Sequence, residues 1–124
     1  MPVIHADQAA VHEMHGTSFT AYASPDRGSR ELCGWRIEIP GHSTGVRHHV
    51  SREEVLYVLS GTIHASVDGG AEQAVAGDVI LVPAGAQFGV DNLADRPATA
   101  WVTTSVGFRG VLPDGSWITP PWTR

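Results

Sequence analysis

Residues Pro40 to Gly61 read PGHSTGVRHHVSREEVLYVLSG, and this stretch decides the fold. Its middle crowds polar and ionisable groups: Arg47, His48, His49, Ser51, Arg52, Glu53 and Glu54. Its end is an unbroken apolar run, Val55-Leu56-Tyr57-Val58-Leu59, closed by Ser60-Gly61. A run that is apolar on both alternating faces reads as a strand covered on both sides. Glu54 stands at the entry to that strand and the two histidines lie just upstream. Side chains at such a place can point into a pocket.

The segments on either side also read as strands. Leu32 to Ile39 alternates, with Cys33, Trp35, Ile37 and Ile39 on one face and Arg36 and Glu38 on the other. Thr62 to Asp68 alternates again, with Ile63, Ala65 and Val67 on one side. Asp68-Gly69-Gly70 predicts a tight hairpin turn into Ala71–Val75. Val79–Val82 is apolar throughout, Gln87–Val90 is short, and Ala98–Val106 is the last long strand. Thr17–Ala23 adds a weaker strand, while Asp7–Met14 reads as a turn or two of helix. Many short strands with regular turn signals and no long helix predict an all-β sandwich or barrel.

A chain of 124 residues, 42% hydrophobic, suits one globular domain spanning 1–124. A formal charge of −5 with no dense basic cluster argues against a nucleic-acid or anionic-membrane partner. Cys33 is the only cysteine, so no intrachain disulfide forms, and its place beside Trp35 and Ile37 makes it a buried small hydrophobe. The N-terminus lacks a basic stretch followed by an apolar one, and no apolar run approaches membrane-spanning length. The expected setting is cytoplasmic.

Two stretches resemble the paired motifs of the cupin superfamily. Glu54 and Gly61 keep the E-x6-G spacing of the first motif, and Gly41 supplies its opening glycine. Gly77, Pro83, Gly85 and Asn92 match the second motif, G-x5-P-x-G-x2-H-x3-N, with Phe88 at its histidine position. The resemblance implies a double-stranded β-helix, or jelly-roll barrel, with its core about residues 30–108 and terminal extensions packed on it. It also implies a homodimer, because cupins commonly pair through their sheets and both faces of Val55–Leu59 are apolar.

In metal-binding cupins two histidines and the glutamate of the first motif, with the histidine of the second, hold one divalent metal such as Zn, Ni, Mn or Fe. This chain departs from that set. If three residues separate the second histidine from Glu54, the histidine positions are His48 and Val50; if four, they are Arg47 and His49. Val46, His48 and Val50 form the less polar alternating set, which favours His48 inside. His49, with Arg47 as an anion-binding neighbour, is the alternative. The candidate metal ligands are therefore His48, His49 and Glu54, and two ligands make a poor site unless Gln87, His42 or an N-terminal histidine joins them.

The same pair has a second use. A histidine hydrogen-bonded to a carboxylate is a general base, so His48 and Glu54 are candidate catalytic residues. Val50 and Phe88 would dry the pocket, and Gln87, Trp35 and Trp101 complete the candidate contacts to a small organic molecule. The leading expectation is a metal-independent enzyme moving protons on such a molecule, of isomerase, cyclase or dehydratase type. The alternatives are a metal-dependent dioxygenase or decarboxylase and a non-catalytic binding or sensor module. The plainer alternative is a vestigial site, in which the histidine and the glutamate only satisfy each other's polar groups.

Overall fold

The computed structural model of the protein describes residues 3–124. Its strands, in chain order, are β1 (Ala10–Met14), β2 (Thr17–Ala23), β3 (Leu32–Ile39), β4 (Ser43–Thr44), β5 (His48–Val50), β6 (Glu54–Ser60), β7 (Thr62–Val67), β8 (Gly70–Val75), β9 (Val79–Val82), β10 (Gln87–Asn92), β11 (Ala98–Ser105), β12 (Gly110–Val111) and β13 (Trp117–Ile118). The only helical pieces among the described residues are three single 3-10 turns. None is long and apolar enough to cross a membrane.

The strands form two antiparallel sheets. One runs β1-β2-β3-β11-β6-β9; the other runs β13-β12-β5-β10-β7-β8, with β4 also paired to β10. The core lies between them. Cys33, Trp35, Ile37 and Ile39 of β3 face inward with Leu56 and Val58 of β6 and Ala98, Ala100 and Val102 of β11. Val50, Ile63, Ala65 and Phe88 meet them from the other sheet. This is the all-β jelly roll that the alternating segments predict. The Asp68-Gly69 turn has positive φ at both residues (49° and 84°), the backbone that a two-residue hairpin requires.

Two local expectations are corrected. The segment from Asp7 to Met14 is not helical beyond a 3-10 turn at Ala6–Gln8; Ala10–Met14 is a strand. Its pairing with β2, from Met14↔Thr17 to Ala10↔Ala21, overrides the helix preference of its alanine, glutamate and methionine. The second correction concerns β6. Leu56 and Val58 are buried, but Val55, Tyr57 and Leu59 are exposed on the outer face of their sheet. Within this chain the strand is covered on one side only.

Candidate functional site

Between the sheets lies a cavity of about 180 Å³. Trp35, Ile37 and Ile39 of β3, Glu54 and Leu56 of β6, and Phe88 and Val90 of β10 line it. The N-terminal hairpin adds Met14, His15 and Phe19, and the C-terminal segment adds Phe108, Ile118 and Trp122. Trp122 stacks flat on Phe19, with centroids 3.6 Å apart and an interplanar angle of 6°, so the two ends of the chain share one wall.

Glu54 reaches the cavity because it opens β6 in the same parity as Leu56 and Val58. Its backbone is held between Thr104 of β11 and Val82 of β9. Beside it, the Thr104 hydroxyl donates to the Glu53 carbonyl at 2.7 Å. The carboxyl group is 6% exposed at the residue level. Desolvation pushes its pKa up to about 8, because no cation or donor nearby offsets the loss of water. At neutral pH Glu54 is therefore a carboxylic acid, a donor as well as an acceptor.

His48 sits opposite Phe88 in the β5–β10 pair, the two rings edge to face at 6.1 Å. Its Nδ1 lies 3.1 Å from the Val46 carbonyl. A carbonyl only accepts, so Nδ1 carries the hydrogen and Nε2 keeps its lone pair. Burial lowers the pKa of the ring; the Val46 contact opposes this and neighbouring His49 adds to it. The imidazole is neutral at pH 7, with a free basic nitrogen.

The strap between β4 and β5 closes one side of the cavity through Ser43, Thr44, Gly45 and Val46. It is pinned to β10 by Asp91. Arg47 donates to both carboxylate oxygens, at 3.2 and 3.0 Å, and the Gly45 amide donates to one of them at 2.9 Å. The Arg47 guanidinium leads in holding the Asp91 carboxyl below its usual range. Gly45 passes so close to the Val90 carbonyl that a Cβ there would overlap it. Replacing Asp91 with Asn removes one accepting oxygen and the charge. It is expected to lower stability by about 1–2 kcal/mol in urea unfolding, with the strap amides exchanging faster in deuterium.

The structure brings His48, Glu54, Phe88 and Trp35 around this cavity. The two residues expected to form a hydrogen-bonded dyad do not bond: His48 turns to Val46, and the Glu54 carboxyl makes no hydrogen bond among the described residues. His49 faces solvent, its Nδ1 3.2 Å from the Gly85 carbonyl. Val50 packs in the apolar core at 1% exposure and does not border the cavity. Gln87 is exposed. Trp101 lies on the outer face, against Gly34 and Tyr22, with its indole N–H on Thr103. Its parity carried that signal, since it alternates with Thr99 and Thr103 while Ala98, Ala100 and Val102 point inward. Phe19, Phe108 and Trp122 went unread because no local pattern marks a wall assembled from both ends of the chain.

Residues 35–104, more than half of the sequence, match the Cupin domain family. The chain is a cupin. Solved structures agree on the fold. A cupin described as RmlC-like, from Shewanella frigidimarina, superposes with TM-score 0.72 at 22% identity, covering 85% of this chain and 90% of that one. The polyketide cyclase RemF from Streptomyces resistomycificus gives TM-score 0.75 at 17% identity, with 85% and 79% covered. KdgF from Halomonas sp. gives 0.67 at 14%, with 82% and 90% covered. No curated protein matches the sequence.

Many cupins hold a metal, and the donors of this one do not fit it. Phe88 occupies the last histidine position of the family, beside His48, and Val50 is apolar and fully buried. No three His, Cys, Asp or Glu side chains group closely enough among the described residues to hold an ion. A histidine and a lone protonated carboxyl fall short of the three protein ligands that a catalytic metal site needs.

Proposed function

We propose that this cupin is a metal-independent enzyme of small-molecule metabolism that moves a proton on a substrate held in the cavity, as isomerases, cyclases and dehydratases do. One observation carries the reading: a neutral carboxylic acid and a neutral imidazole with a free nitrogen border the same apolar cavity. Two titratable groups whose surroundings push them to opposite roles at one pH make an acid–base pair. His48 Nε2 takes a proton from carbon next to a substrate carbonyl. Glu54 gives its proton to the carbonyl oxygen, and the product is an enol. Where the substrate carries a β,γ double bond the enol is a dienol, and return of the His48 proton to its γ carbon, with the enol proton passing back to Glu54, moves the double bond into conjugation with protons balanced. The apolar walls keep water from competing for either group. The reading carries with it a small organic ligand, a cytoplasmic setting and a homodimer.

The test is hydrogen exchange into small ketones in deuterated buffer, followed by NMR. Exchange above the buffer rate is expected to persist in chelator and to fall by roughly two to four orders of magnitude in His48→Phe. The rate should drop as pH rises through about 8, where Glu54 loses its proton. It should also drop on the acid side at a pH below the ordinary histidine range, where His48 gains one. Exchange that disappears with chelator and returns with a divalent ion would replace this reading with a metal-dependent one. Ligand binding without exchange on any ketone would leave a binding module.

A further inference from the structure

Resting on that reading, we propose the class of substrate: an uncharged, planar ring compound of one or two rings that carries a carbonyl oxygen, with carboxylates and phosphates rejected. Shape comes first. Trp35, Phe88, Phe108 and the stacked Phe19–Trp122 pair supply aromatic wall from five separate elements of the chain. Such walls favour a flat ligand by offset and edge contacts. The cavity measures about 180 Å³, and an apolar cavity of about 150 Å³ already takes benzene. One ring fits with room for a second small one.

Charge comes next. No lysine or arginine lines the cavity. Arg47, on the strap, has its guanidinium engaged by both oxygens of Asp91. The titratable groups on the lining besides Glu54 are His15 and His48, and burial holds His48 toward its neutral form, so an anion would meet no fixed counter-charge beside Glu54, which burial already keeps from ionising.

Hydrogen bonding fixes the polar end. Trp35 borders the cavity with its ring, but its indole Nε1–H, which has no acceptor among the described residues, is sealed off from it. The Glu54 carboxyl borders the cavity and makes no hydrogen bond among the described residues. A protonated carboxyl on an apolar lining without a partner is costly unless something supplies oxygen lone pairs. A carbonyl supplies them without charge. An ammonium ligand is the competitor, since aromatic walls and a carboxylate also suit a cation. It would need Glu54 ionised, so its binding would change with pH in the opposite direction.

The probes are 1-indanone, benzoate and benzyltrimethylammonium, titrated calorimetrically into the full chain at about pH 6.5 and about pH 9.5, either side of the Glu54 transition. At the lower pH 1-indanone should bind at least about ten-fold more tightly than benzoate, and its affinity should fall by about ten-fold or more at the higher pH. Glu54→Gln, which keeps a donor but cannot ionise, should bind 1-indanone equally at both. Benzoate binding as tightly as the ketone overturns the proposal, as does benzyltrimethylammonium binding that strengthens with pH. No binding of 1-indanone also overturns it. Exchange of the 1-indanone α-hydrogens in deuterium separates the two levels. Selective binding without exchange keeps the ligand class and removes the proton-transfer reading. Exchange of acetone without binding of 1-indanone does the reverse.

Discussion

Glu54→Gln is expected to resist urea far better than the native protein at about pH 9 and about equally at about pH 4, with the gap opening between. The sign follows from the two states. The ordinary glutamate value is 4.5 and the folded value is about 8. Below 4.5 both states hold the proton and the side chain contributes no pH dependence. As pH rises past 4.5 the unfolded chain releases its proton first, so the folded state loses relative stability. The loss grows until pH passes about 8, where the folded carboxyl ionises too. Each pKa unit is worth about 1.4 kcal/mol, so the full difference comes to roughly 3–5 kcal/mol. That is a large share of the about 5–15 kcal/mol that holds a typical domain together. Glutamine has the same shape and no proton to lose, so the variant escapes the penalty. The measurement is urea unfolding of both proteins across this range, with the difference between them taken at each pH so that other titrating groups cancel. A variant less stable than the native protein above about pH 5, with the gap closing toward pH 4, would mean that Glu54 is ionised and paired, and a gap that does not change with pH would mean that its folded pKa is not raised; either result removes the neutral acid. A carboxyl that weakens its own fold at working pH makes sense where chemistry requires it there.

Much of this arrangement was legible in the chain, because the signals that carried it were local. The alternation of Leu32–Ile39 placed Trp35, Ile37 and Ile39 on one wall, and that wall borders the cavity. The E-x6-G spacing brought Glu54 to the start of its strand. The less polar set Val46, His48 and Val50 chose His48 over His49, and the structure turns His48 inward and His49 out. What stayed hidden was long-range. Ala10–Met14 has helix-forming residues and becomes a strand only because the positive-φ pair His15-Gly16 folds it back on β2. The Phe19–Trp122 stack joins residues at opposite ends of the chain. Spacing put His48 and Glu54 at one site but could not show that the Val46 carbonyl takes the imidazole hydrogen. Without that bond the pair reads as a dyad; with it, the two groups are a separate acid and base.

The same limit of local pattern explains the exposed face of β6, and it yields the last expected result: the native protein sediments at twice 13.2 kDa, and Tyr57→Glu sediments as a monomer. On the outer face of the first sheet, register lines up Trp101, Tyr57 and Val79 in one row and Thr103, Val55 and Leu81 in the next. Tyr57 is 45% exposed, Val79 and Leu81 are each 57%, and Leu59 extends the patch. None of these seven side chains is charged. Apolar residues in adjacent rows of three neighbouring strands form one continuous surface, which a protein that stayed monomeric would rarely leave in water. A second copy is the partner that fits, because a gently twisted apolar sheet face is complementary to itself about a two-fold axis. That axis also sets the size of the effect. One substitution appears twice in such an interface, so Tyr57→Glu places two like charges in a desolvated patch at a cost of several kcal/mol. The dissociation constant should rise by roughly a hundred-fold or more. The cavity should not respond, since Leu56 and Val58 are the inward residues of this strand and Tyr57 points away from them. Unchanged binding of 1-indanone by the variant would therefore show that the fold survives. Sedimentation of the native protein as a monomer at high micromolar concentration would leave the patch without its partner, and a Tyr57→Glu protein that stayed dimeric would place the interface elsewhere.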